Sequence, residues 1–120
     1  WDHEPIKSIW AKMFNSSVDI SSEELNPIKQ LLKENKMYAT IGINEKVLSG
    51  KGNNTIYNSL LIINDSGQLI NHHRKLMPTY TEKLVHGLGD GAGLNSVKTP
   101  FGRLGGLIGA LDATHKASYA

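Results

Sequence analysis

The chain has 120 residues, 39% hydrophobic and 20% charged, with thirteen basic side chains against eleven acidic ones and a formal charge of +2. That length suits a single domain and that composition a globular chain, while the charge is too small to argue for nucleic acid or a membrane surface as partner. Cysteine is absent, which excludes disulfides, thiolate metal sites and a thiol nucleophile within these residues.

No basic region followed by an apolar core opens the chain, so the cytoplasm is the expected compartment. It begins at Trp1 rather than Met, which points to a natural start further upstream. Ile6, Ile9, Trp10, Met13 and Phe14 recur at the spacing of one helix face. Asn15-Ser16-Ser17 interrupts that pattern. Ser21 or Ser22 is placed to cap a second helix, and Ser21 with Glu24 has the form of a capping box. Ile28, Leu31 and Leu32 supply its stripe, Pro27 falls in its first turn, and Asn35 is the expected stop.

Tyr38 to Ile43 reads as a short strand of the parallel, two-face-buried kind. Ser49 to Asn54 is a loop, Thr55 to Ile63 a second strand, and Asn64-Asp65-Ser66-Gly67 the turn into a return strand from Gln68. Leu76 to Asn95 is a long irregular segment with glycine at alternate positions 87, 89, 91 and 93. Ser96 to Thr99 and Leu104 to Ile108 are expected as short strands about a turn at Pro100-Phe101-Gly102. The order predicts a mixed α/β domain with two helices and hairpins. The longest apolar run, Leu60 to Ile63, cannot span a bilayer.

Residues 87–93 have the look of a phosphate cradle. A cradle needs a helix after it, and Leu94 to Val97 read as loop and strand. His72 and His73 are neighbours on a strand, point to opposite faces and cannot share a metal; His86 and His115 lie far off, and no metal is expected. Lys75 ends the return strand. It is either a solvated cation or an ammonium held to stabilise a developing oxyanion, with Glu82 seven residues on to orient it. Glu45 reads as a general base or as a salt-bridge partner.

Five stretches then stand in a suggestive order: Ile41-Gly-Ile-Asn-Glu-Lys46, Tyr57-Asn-Ser59, His73-Arg-Lys-Leu-Met-Pro-Thr79, Gly87-Leu-Gly-Asp-Gly91 and Thr99-Pro-Phe-Gly-Arg-Leu-Gly-Gly-Leu-Ile108. Over nearly the whole chain they resemble the nitrilase superfamily of carbon–nitrogen hydrolases, the nitrilase branch in particular. The resemblance implies a four-layer αββα sandwich, usually assembled through dimers into larger oligomers. It implies hydrolysis of a small nitrile or amide by an attacking Cys, a general-base Glu and a Lys that stabilises the tetrahedral intermediate, with a second Glu in support and no metal or organic cofactor. Lys75 matches the catalytic Lys and Glu82 the supporting Glu. Gly109 occupies the nucleophile position, 34 residues after Lys75. The tail from Ala110 to Tyr119-Ala120 keeps the family's length.

The family's base lies in a Pro-Glu motif after an early strand. Glu4-Pro5 has the reverse order, and Glu45 matches a structural position rather than the base. The expectation is therefore one partial domain over residues 1–120, without the first strand and the C-terminal half of the sandwich, and inactive by itself. The rival reading is a non-catalytic pseudo-enzyme or interaction module that pairs through exposed sheet edges.

Overall fold

The structure, a computed structural model, describes residues 4–109. Trp1 to His3, His115 and the tail from Ala110 to Ala120 lie outside the described residues. Helix α1 (Glu4–Asn15) contains the expected periodic stretch, and Trp10 stacks on Phe14 with ring centroids 5.1 Å apart. Its apolar stripe is nonetheless open: Ile6 is 40% and Ile9 63% exposed. A short 3₁₀ turn, Glu23–Leu25, leads into α2 (Asn26–Asn35). The cap is Ser22, whose hydroxyl accepts from the Glu24 N–H at 3.2 Å. Ser21 does not form the expected box, because its N–H and hydroxyl both donate to the Asp19 carboxylate. Helix α2 stops at Asn35 as expected, with Lys36 left-handed (φ 54°) as its C-terminal cap. Of its stripe only Leu32 is buried; Ile28 and Leu31 stay at the surface.

Three strands follow, β1 (Ala39–Lys46), β2 (Ile56–Ile63) and β3 (Leu69–Arg74), forming one sheet in that order. Both ladders are antiparallel. The first strand is thus not the parallel, doubly buried strand expected from its apolar run. Its burial alternates, odd residues inward and even ones outward up to Asn44, the signature of a strand covered on one face. The parallel contacts are two isolated bridges, Val18 with Glu45 and Ile56 with His86. Strands β4 (Val97–Thr99) and β5 (Gly102–Leu104) make a separate hairpin. The second of these was expected later, at Leu104 to Ile108. The turn is tighter than that, because Gly102 adopts φ 125° and lets pairing resume at once.

The core sits under β2, where Ile56, Leu61, Ile62 and Ile63 are fully or almost fully buried, joined by Leu25 and Leu32. Together the helices and antiparallel sheets make the expected α/β fold, matching part of a sandwich of the nitrilase kind. None of the helices among the described residues is long and apolar enough to cross a membrane.

The glycine segment 87–93 is a seam, not a phosphate cradle. A Cβ at Gly89 would lie 2.2 Å from the Arg74 carbonyl oxygen, and one at Gly93 2.2 Å from that of His72. Gly89 and Gly93 therefore let this segment, whose Gly87 fits against the side chains of Thr55 and Tyr57, lie directly on the backbone at the end of β3. Asn71 Nδ2 fastens it there, donating to the Gly93 and Asn95 carbonyls. Gly106 makes a similar approach to Leu60, but residues 105–108 are not a strand.

Candidate active site

Strand β3 ends at Arg74, and Lys75 leaves the sheet with its N–H on the Asn58 carbonyl at 2.8 Å. Its carbonyl accepts from the Gly89 N–H at 3.0 Å, so the backbone of Lys75 is held on both sides. The side chain is buried, 5% exposed. Its ammonium donates to Thr79 Oγ1 at 3.0 Å and to Glu82 Oε2 at 2.6 Å.

A capping box places those two acceptors. Thr79 caps the 3₁₀ helix Tyr80–Leu84; its side chain accepts from the Glu82 N–H, and Glu82 Oε2 accepts from the Thr79 N–H at 2.7 Å. Glu82 thus closes its own turn and grips Lys75 with the same oxygen. The Lys75 ammonium, then the Thr79 N–H, pull its carboxyl below the usual range, against the opposing effect of burial. The Thr-x-x-Glu spacing was legible in the sequence, yet the box expected there was the one at Ser21.

Gly109, the position matched to the nucleophile, comes to this same place. A Cβ built on it would lie 3.7 Å from Lys75 Nζ, with backbone φ at 69°. A side chain in that left-handed region is strained, whereas glycine is not. The structure thus brings together the three positions singled out in the sequence, Lys75, Glu82 and Gly109. His86 stands close by. Its Nε2 is 3.0 Å from Asn44 Oδ1, and burial, with the Lys75 charge adding and Glu82 opposing, keeps its imidazole below the usual histidine value. Beside Glu82 and His86 an apolar groove of about 610 Å³ opens between the 3₁₀ segment and α1.

Glu45 is elsewhere. It is 1% exposed and faces the other side of the sheet. Ser59 Oγ donates to it at 2.6 Å, His72 Nε2 lies at 2.7 Å, and Arg74 binds both carboxylate oxygens. Burial pushes its carboxyl up, but the hydrogen bonds from His72, Arg74 and Ser59 overcome this and hold it down at about 2. A carboxylate so saturated with donors is a poor proton acceptor near neutrality. Its partners His72 and Arg74 were not foreseen.

Comparison with known proteins identifies the family. The family described as carbon-nitrogen hydrolase matches residues 5–110. A nitrilase of Penicillium rubens is 36% identical over 95 residues, 78% of this chain and 27% of the relative. A cyanide hydratase of Stereum hirsutum is 39% identical over 93 residues, 77% of this chain and 24% of the relative. A protein named nitrilase 3, from an unknown prokaryotic organism, is 32% identical over 96 residues, covering 80% and 28% of the two chains. The chain spans about a quarter of the length of these relatives. Family match and shared sequence together leave one conclusion: this chain belongs to the carbon–nitrogen hydrolase family, within the nitrilase superfamily.

Proposed function

We propose that these residues are the lysine-bearing part of a nitrilase-type site, acting on a nitrile carbon, and that the chain by itself cannot turn a substrate over. Lys75 is the cation that stabilises charge developing on the substrate nitrogen, and Glu82 with Thr79 aims it. Gly109 stands where the attacking thiol belongs. The observation that carries the reading is the 3.7 Å between Lys75 Nζ and the Cβ position of Gly109. Organic nitriles and cyanide, the substrates that the relatives' names suggest, are the substrate class.

Glycine offers no atom to form a thioimidate, and no residue here matches the Pro-Glu base. The test is mass spectrometry after exposure to an electrophilic nitrile, with ammonia measured in parallel. The chain as it stands gains no mass. Gly109→Cys gains the mass of one whole reagent: the thiol sulfur bonds the nitrile carbon, one π bond opens, and the thiol proton passes to nitrogen. It releases no ammonia, because nothing activates water. Gly109→Cys with Lys75→Ala adds reagent about a hundredfold more slowly, the usual cost of losing one charge-stabilising donor. A mass gain in the unaltered chain overturns the missing nucleophile, and ammonia from Gly109→Cys overturns the missing base.

The second reading, a non-catalytic interaction module, draws on the exposed apolar side chains, among them Leu84, Leu88 and Phe101 at 49%, 63% and 66% exposure.

A further inference from the structure

The carboxylate of Glu45 lies on the face of the sheet away from Lys75, yet its partners are the residues that carry Lys75. Across the ladders Glu45 stands opposite Tyr57, while Ser59 stands opposite Arg74. To meet Arg74 the carboxylate must cross β2, a step of roughly 5 Å per strand. The small side chain of Ser59 leaves that path open and donates a hydrogen bond along it at 2.6 Å. His72 and Arg74, two residues apart, share this face, so one carboxylate holds both. The Arg74 guanidinium lies 4.2 Å over the Tyr57 ring, which supports it from beneath.

Lys75 is the next residue and points to the other face. The sheet ladder ends with the pairing of Ser59 and Arg74, so Lys75 lies just past the last rung. Beyond the N–H bond to Asn58 and the seam of Gly89, the strand end depends on what holds Arg74. The alternative partner of Arg74 is Asp90, at 3.5 Å and on the exposed side.

We propose that Glu45 is a positioning residue for Lys75: from the back of the sheet it fixes His72 and Arg74, and thereby the strand end from which the ammonium reaches Glu82, Thr79 and the Gly109 position. The proposal rests on the reading of Lys75 as the working amine of the site. It requires that loss of the Glu45 contacts loosen Lys75 selectively, with the rest of the sheet intact. A purely structural carboxylate would instead weaken all parts of the sheet together.

The experiment measures acylation of individual lysines by an amine-reactive ester, read by peptide mass spectrometry, with hydrogen exchange on the same samples. In Glu45→Gln the labelling of Lys75 rises roughly tenfold, as a buried amine becomes accessible through local opening. Amides of the buried residues 60–62 in the central strand stay as protected as in the unaltered chain. In Ser59→Ala, which removes one hydrogen bond and strands no charge, Lys75 labelling rises by a smaller factor, roughly twofold to threefold. Lys75 labelling and exchange of amides 60–62 accelerating by the same factor, or unchanged Lys75 labelling in a destabilised variant, overturns the proposal. Where Glu45→Gln does not fold, Ser59→Ala decides it by the same two criteria. The readout involves no turnover, so failure of nitrile chemistry at Lys75 and failure of the clamp are separate results.

Discussion

At the scale of single residues the acid behaviour of the chain is set by a few well-held carboxylates. A group whose folded pKa is depressed stabilises the fold above its unfolded value, and that contribution is lost as pH falls towards the folded one. Glu45 sits at about 2 against an ordinary 4.5, so its contribution is whole above about pH 4.5 and disappears towards pH 2. Integrated over that window it is worth about 3 kcal/mol. His86 acts in a different window. Its imidazole is held below the ordinary 6.5, so the unfolded chain takes up the proton first and stability declines as pH falls through that value. Urea midpoints measured from pH 8 to pH 2 are expected to show a small decline near pH 6.5 and a steep one below 4.5. The steep limb flattens in Glu45→Gln but does not vanish, because Glu82 and Asp19 are also held low. An acid limb of unchanged steepness in that variant removes Glu45 as its main source.

At the scale of elements, glycine spacing does what side chains do elsewhere. Gly89 and Gly93 let the chain pack against the backbone of residues 72–75 at the end of β3, an edge open to another strand without them. A methyl group at Gly89 would come within 2.2 Å of the Arg74 carbonyl oxygen, and one at Gly93 within 2.3 Å of His73 Cα. Neither neighbour is a flexible side-chain end. Gly89→Ala and Gly93→Ala are each expected to cost roughly 2–4 kcal/mol, as overpacking against backbone does. Gly42 offers the contrast, with nothing within 4 Å of an added Cβ. Gly42→Ala is expected to leave the urea midpoint unmoved, and equal midpoints for all three variants would remove the seam.

Local patterns were legible in the sequence because they depend on neighbours: the period of α1, the turn at Asn64 to Gly67, the stop of α2. Pairing was not. The apolar run of β1 resembles that of a strand buried on both sides, and only its ladder to β2 shows that even residues face out. The candidate site divides in the same way. Lys75 and Glu82 share one loop, so their meeting could be anticipated from a spacing of seven. Glu45 meets Arg74 only when the registers of three strands are known.

At the scale of the whole molecule the described residues leave much apolar surface open. Six hydrophobic side chains make up the buried core of the described residues, while Ile9, Leu31, Met37, Leu84, Leu88 and Phe101 are each about half exposed or more. No strand among the described residues runs along the outer edge of β1 beyond the bridge at Val18. So little burial leaves small surplus over chain entropy. A cooperative domain of this size melts with roughly 80 kcal/mol; a broad transition of well under half that enthalpy is expected here, together with dye binding to open apolar surface. Exposed apolar groups of this kind favour association, so sedimentation is expected to depend on concentration, and Ile9→Lys combined with Leu84→Lys is expected to reduce that dependence. The form of the association separates the two readings of the chain. An open-ended series of species accords with the hydrolase reading, in which no one face of the chain is built for a defined partner. Saturation at one defined dimer, disrupted by those two substitutions, accords with an interaction module. A sharp full-enthalpy melt from a monomer at every concentration contradicts both.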